Sequence, residues 1–396
     1  MKRPSATRLA RLAAAAALTG AALLGTPTTA GAALDRRDMP RLQAPESGWS
    51  SLTAGNKSTC GIARDHALWC WGSNKTGQLG IGGGGVRTAP QQVASDIGWA
   101  VVAVGGGHAC GVKLDGSLWC WGRNRHGQLG FPSGHNVQLP TQVSSATDWA
   151  SVDAGGYHTC ATRTDGTLWC WGGNHFGQLG IGQSGARYEP TRVGRSTLWG
   201  SVATGKNHTC ALRDDGSAWC WGRNRESQVG DGTQINRDAP VQVGGDSDWA
   251  IISAGIYFSC ATKSDGTAWC WGNKKSNAAG AESDSSYVPE QVDDATDWAT
   301  ISVFGYHICG VKTGRSLWCF GLNSNGQLGN GTTANENSPV RIGADRDWAM
   351  VSAGGHHTCA TKTDGSAWCW GWNGFGQLGD GTQGVDRLTP QPVVDG

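Results

Sequence analysis

The chain has 396 residues, and its 32 Lys and Arg against 31 Asp and Glu leave a formal charge of +1. Only 16% of residues are charged, well below the roughly 25% of an ordinary soluble protein. That balance excludes a molecule that works through a strong overall field on nucleic acid or on an anionic membrane.

Residues 1–32 read as a signal peptide. Lys2, Arg3, Arg8 and Arg11 stand around and before the apolar run from Leu12 to Leu24, and Ala30-Gly31-Ala32 fits the small-residue rule for cleavage after Ala32. The run is shorter than the about 20 residues of a membrane helix and nothing like it recurs, so no membrane span is expected. The mature chain is expected to be secreted, soluble and monomeric. Export governs how the 14 cysteines are read, because oxidising compartments favour disulfides where a cytosolic chain would suggest metal or catalysis.

Residues 33–48 form an N-terminal segment. Pro40-Arg41-Leu42 precedes Trp49 at the spacing that Pro90 keeps before Trp99. Two segments, near Leu42 and near Val393, therefore compete for one closing strand. The C-terminal one is favoured because it belongs to a complete copy of the repeat.

Residues 49–396 are one unit copied seven times. Trp49, Trp99, Trp149, Trp199, Trp249, Trp298 and Trp348 open the copies, so the period is fifty residues with a single deletion before the sixth copy. The copy from Trp149 reads as four short strands: WASVDA, then a Gly-Gly-x-His turn, HTCATR, a Thr-Asp-Gly turn, TLWCWG, the loop GNHFGQLG, and a strand around EPTRV. Four-stranded units of this length in tandem are the signature of an all-β, seven-bladed β-propeller. A parallel solenoid is the rival, but its coils are shorter and lack tight hairpins.

Two cysteines fall ten residues apart in every copy: Cys60 and Cys70, Cys110 and Cys120, Cys160 and Cys170, Cys210 and Cys220, Cys260 and Cys270, Cys309 and Cys319, Cys359 and Cys369. In the second copy Lys113-Leu114-Asp115-Gly116-Ser117 fits a three-residue hairpin loop closed by a left-handed glycine. Counting outward, Val112 faces Leu118, Gly111 faces Trp119 and Cys110 faces Cys120. A non-hydrogen-bonded pair there sets the Cα atoms about 4.5 Å apart, within reach of a disulfide. Zinc is the sharper alternative, but C-x9-C matches no compact zinc spacing, and the histidine slot before the first cysteine holds Ser58 and Phe258 in two copies. Redox catalysis favours C-x-x-C. Neither a metal nor a cofactor is expected.

The frame W-x-x-V-x-A-G-x-x-H-T-C-A, D-G-x-L-W-C-W-G-x-N-x-x-G-Q-L-G and P-x-x-V, with GQLG intact at 77, 127, 177, 326 and 376, resembles the regulator-of-chromosome-condensation repeat family, here as an exported, disulfide-rich, bacterial-type member. The resemblance covers residues 49–396 and implies a seven-bladed propeller. ESQVG at 226–230 and SNAAG at 276–280 depart from the pattern, so those loops are expected to be reshaped.

His108, His158, His208, His307 and His357 share one repeat position, which argues for a hydrogen bond that stabilises the turn rather than for catalysis. No G-x-S-x-G, H-E-x-x-H or phosphate loop occurs, and the aspartates of "GDGT" are too sparse for calcium. Function is instead expected where the copies differ. The Gly-Gly-x-His turns and the WGxNxxGQLG loops should emerge on one face of the disk. There the copies carry Lys75; Arg123, Arg125 and His126; Tyr157, His175 and Phe176; Arg223 and Arg225; Lys274 and Lys275; Trp372 and Phe375. Between WG and GQLG, seven Lys or Arg stand against one acidic residue, Glu226. A partly basic surface carrying aromatics is the composition of a recognition surface.

The expected function is a secreted, non-enzymatic recognition scaffold that binds an extracellular protein through this face. A carbohydrate-binding propeller lectin stays open, as does an enzyme inhibitor, since exported proteins of similar architecture include inhibitors of β-lactamases. The resemblance also implies guanine-nucleotide exchange on a small nuclear GTPase and chromatin binding. Both fit poorly, because an exported chain meets neither partner and the even spacing leaves no room for an inserted wedge. No nucleic-acid partner is expected.

Overall fold

The computed structural model describes residues 48–273 and 286–394. These form seven four-stranded antiparallel sheets, each built in chain order from a single repeat. Blade 3 is representative, with strands Trp149–Ala154, His158–Arg163, Leu168–Gly172 and Arg187–Arg192. The first strands of neighbouring blades lie against one another, and the fourth strands form the outer edge. The fold is an all-β seven-bladed propeller. No helix long and apolar enough to cross a membrane occurs among the described residues.

Local chemistry fixes each hairpin. Lys113 N donates to Ser117 O at 3.0 Å and Gly116 N donates back to Lys113 O at 2.9 Å. Gly116 has φ 78°, a conformation an L side chain rarely adopts. The Asp of this turn also organises the next strand: Asp165 Oδ1 accepts from Thr167 N at 2.9 Å and Thr167 Oγ1 at 2.6 Å, and Trp169 Nε1 donates to Thr167 Oγ1 at 2.9 Å. D-G-[ST]-x-W is thus one hydrogen-bonded unit. Those bonds from Thr167 hold the Asp165 carboxyl below its ordinary pKa.

The register is Val112↔Leu118, Gly111↔Trp119 and Cys110↔Cys120, and the corresponding cysteine pairs face each other in all seven blades. All seven pairs are disulfides with Cα–Cα of 4.1–4.2 Å. Each lies within one hairpin and is buried, none more than 3% exposed.

Between blades the recurring histidine does something other than brace its own turn. His158 Nε2 reaches Thr209 Oγ1 of the next blade at 2.8 Å, and Thr209 Oγ1 donates to Gln178 O at 2.8 Å. The hydroxyl has one hydrogen and the Gln178 carbonyl takes it, so His158 donates from Nε2. Trp221 Nε1 closes the unit by donating to the same carbonyl at 2.9 Å. The same arrangement joins His108 to Thr159, His208 to Ser259, His307 to Thr358 and, closing the ring, His357 to Thr59. Where the histidine slot holds Ser58, the next blade has Ala109; where it holds Phe258, the next blade has Ile308. Both partners are lost together, which is what an inter-blade pair demands.

Around the axis the turns link edge to edge, as when Gly106 N donates to Gly155 O and Gly156 N to Gly205 O, both at 3.1 Å. The approach is close enough that a Cβ on Gly105 would lie 2.3 Å from Gly155 O. The seam between blades 5 and 6 differs. Phe258, Ile308 and Phe320 replace its polar unit with an apolar cluster, and the first strand of blade 6 shrinks to Ser302–Val303. Ser253 still exchanges hydrogen bonds with Val303 there.

Arg387–Pro392 is the fourth strand of blade 7, and Val393 packs on the cluster shared by blades 7 and 1. The competing segment around Leu42, with the rest of residues 1–47, lies outside the described residues.

Candidate functional site

Among the described residues, each loop at the WGxNxxGQLG position is held by its own Asn and Gln. Leu179 N donates to Asn174 Oδ1 at 3.0 Å, Asn174 Nδ2 donates to Gln183 O at 2.6 Å, and Phe176 N donates to Gln178 Oε1 at 3.0 Å. Asn174 and Gln178 are buried. Of the three variable positions between WG and GQLG, the first and third are partly buried in Arg123 and His126, and the second is exposed in Lys75, Arg125, His175 and Arg225. The scaffold is constant and the presented side chains differ. ESQVG keeps this form rather than being reshaped, because Ser227 takes the left-handed position with φ 61° and Val229 N still donates to Asn224 Oδ1 at 2.9 Å. SNAAG, Lys274 and Lys275 lie outside the described residues.

The presented side chains fall into two groups. On blades 2 and 3, His126 sits 5.4 Å from the Tyr157 ring and 6.3 Å from the His175 ring. Partial burial, then the Arg123 charge, His175 and Arg125, lower the His126 pKa. Arg125, which acts on His126, is exposed, as is Lys75 on blade 1.

The second group is a chain of rings across blades 3 to 1. Arg223 lies 5.5 Å from the Phe176 ring and 5.3 Å from Tyr257. Tyr257 meets Tyr306 at 5.9 Å, Tyr306 meets His356 at 6.3 Å, His356 meets Trp372 at 5.9 Å and Trp372 meets Phe375 at 5.3 Å. Lys57 ends the series, 4.6 Å over Phe375 and 5.9 Å over Trp372. Burial, with Lys57 adding to it, lowers the His356 pKa; burial and the neighbouring Tyr257 raise that of Tyr306.

One cation of the partly basic surface is met locally. Arg223 is paired with Glu226 through two hydrogen bonds of 3.1 and 2.6 Å, so its charge is met within its own loop. The structure also adds residues that the loop comparison missed: Lys57, Tyr257, Tyr306 and His356. They occupy the turn slot of Tyr157, one residue before the inter-blade histidine position, and aligning that slot across copies would have found them. The "GDGT" carboxylates are engaged by protein groups: Asp231 accepts from Asn224 and Thr233 and pairs with Arg237.

Residues 22–305 match the family model described as RCC1-like domain, and residues 316–361 and 351–377 match models of the regulator of chromosome condensation (RCC1) repeat. No curated protein matches the chain. Among solved structures, yeast RCC1 (Prp20) with Kap60 bound aligns at TM-score 0.75 and 17% identity, over 93% of this chain and 91% of the other. Human WBSCR16 aligns at TM-score 0.75 and 21% identity, over 83% and 94%. Prp20p from Saccharomyces cerevisiae, described with its binding properties to Gsp1p and histones, aligns at TM-score 0.74 and 18% identity, over 88% and 87%. At these identities the likeness is one of fold.

Proposed function

The chain belongs to the RCC1-like domain family, and from that premise we propose that it is a secreted, non-enzymatic scaffold that binds a protein partner through the face bearing its variable loops. A structural neighbour with this fold binds proteins: yeast Prp20 has Kap60 bound in one structure and is described with its binding properties to Gsp1p and histones in another. The observation that carries the reading is the ring series from Phe176 to Lys57, which draws side chains from two different loops of successive blades into one surface. Clustered aromatics with arginine nearby are the residues that anchor protein interfaces. Seven intra-blade disulfides support an oxidising location.

The test is the protein that co-purifies with the native exported form, compared with Trp372→Ala and Arg125→Ala. Loss of that protein from either variant is the expected result. Undiminished recovery with both would remove this face from the function. On a glycan array the protein should be silent; saturable sugar binding would favour a lectin instead. Nucleotide release from a purified small GTPase should not rise when the protein is added.

A further inference from the structure

The cations of the two faces are treated differently by the same scaffold. On the face of the Asp-Gly turns, Lys362 sits 5.0 Å from both Trp348 and Trp368 and also pairs with Asp345 at 2.7 Å and Asp347 at 3.3 Å. Lys263 has the same surroundings, Lys312 pairs with Asp297, and Arg163 with Asp148. The chain supplies carboxylates for these charges.

On the variable face it does so for Arg223 with Glu226 and, in the loops after the GQLG position, for Arg237 with Asp231 and Arg387 with Asp380, but not for the other cations there. Among the described residues, Lys75, Arg123, Arg125, Lys206 and Arg225 have no carboxylate within ion-pair distance, and Lys57 has only the faces of Trp372 and Phe375. The single acidic group of these loops, Glu226, is spent on Arg223. Unmet positive charge thus lies on blades 1, 2 and 4, of which blades 1 and 4 flank the half-buried rings of blades 5 to 7.

Resting on the binding role proposed above, we propose that the partner presents an acidic protein loop: its carboxylates meet the unpaired cations of blades 1, 2 and 4, and an aromatic or aliphatic residue at its tip packs on Tyr306, His356 and Trp372. Complementary charge sets the orientation and the rate of encounter, and the buried ring contact sets how long the complex lasts. A protein loop suits this surface better than a single-stranded nucleic acid. The rings pack edge to face or tilted against one another, at interplanar angles of 40–88°, and so do not offer the successive free faces on which bases stack.

The probe is a displayed library of disulfide-closed 12-residue loops, selected on the immobilised full-length mature protein. Selected loops should be enriched in Asp and Glu around an aromatic or aliphatic tip. Their binding should weaken about tenfold or more with Arg123→Glu combined with Arg125→Glu, as loss of paired interfacial charges does, and should weaken as salt rises. It should also weaken with Trp372→Ala. Loops without acidic enrichment that still depend on Trp372 would overturn the acidic partner while leaving the face in place. Loops indifferent to both variants, or no selected loops, would overturn both. Tighter binding of a labelled single-stranded DNA 20-mer than of any loop would replace the protein partner with nucleic acid. Intact mass with all disulfides formed checks that each variant is folded.

Discussion

His158 is fully buried, and burial, followed by the nearby His208 and His108, lowers its pKa from 6.5 to about 3. The other four inter-blade histidines are lowered to about 3 as well, each first by burial. Between pH 6.5 and 3 the unfolded chain therefore binds protons that the folded chain refuses. Stability is complete above about pH 6.5 and falls as pH drops through that window, by at most about 1.4 kcal/mol per pH unit for each histidine. Thermal midpoints measured from pH 7 to 4 should fall accordingly. Replacing one unit with the apolar pair already found at Phe258 and Ile308, as His158→Phe with Thr209→Ile, should make that fall shallower. At neutral pH, Thr209→Val alone leaves the His158 N–H buried without an acceptor and should cost about 1–3 kcal/mol. A double-mutant cycle on the pair should then show strong non-additivity, and additive singles would contradict the hydrogen bond. The histidine position was legible in the sequence as a repeat, but its partner lies 51 residues away. Only reading each histidine against the following copy exposes the pairing.

Within a blade, the hairpin and its disulfide are one element. Closing so short a loop is worth roughly 2–3 kcal/mol in the chain-entropy account, so Cys160→Ser with Cys170→Ser should lower stability by about that much without unfolding the ring. Urea denaturation of the double variant measures it. The tryptophan-flanked cation is a second element. Burial opposes the charge of Lys362, but the hydrogen bonds it donates to Asp345 and Asp347 outweigh it and its pKa is raised. Lys362→Met keeps the stem and removes the charge, so the expected loss is about 1 kcal/mol. Hairpin register was readable from the chain because its partners are ten residues apart and the turn chemistry is explicit. The cation between two tryptophans was not, since one ring comes from the first strand and one from the third.

At the scale of the ring, each blade is complete within one repeat, so closure rests on blade-to-blade packing and on the polar unit at five of the seven seams. The seam between blades 5 and 6 lacks that unit and has the shortened first strand. Hydrogen exchange should find that strand and its neighbour, His307–Val311, opening before the equivalent strands of blades 3 and 4. Uniform protection around the ring would show that the apolar cluster of Phe258, Ile308 and Phe320 fully replaces the polar unit.

Period, strand order, hairpin register and cysteine pairing were determined by the sequence alone, because each depends on residues within one repeat and on turns with explicit chemistry. The candidate surface was legible only in part: the variable loop positions were visible, whereas the turn residues Lys57, Tyr257, Tyr306 and His356 became part of it through contacts between blades. Which cations keep an unmet charge, which histidines cross a seam and which rings meet were decided by the tertiary structure. Those properties belong to pairs of residues that only the closing of the ring brings within a few ångströms.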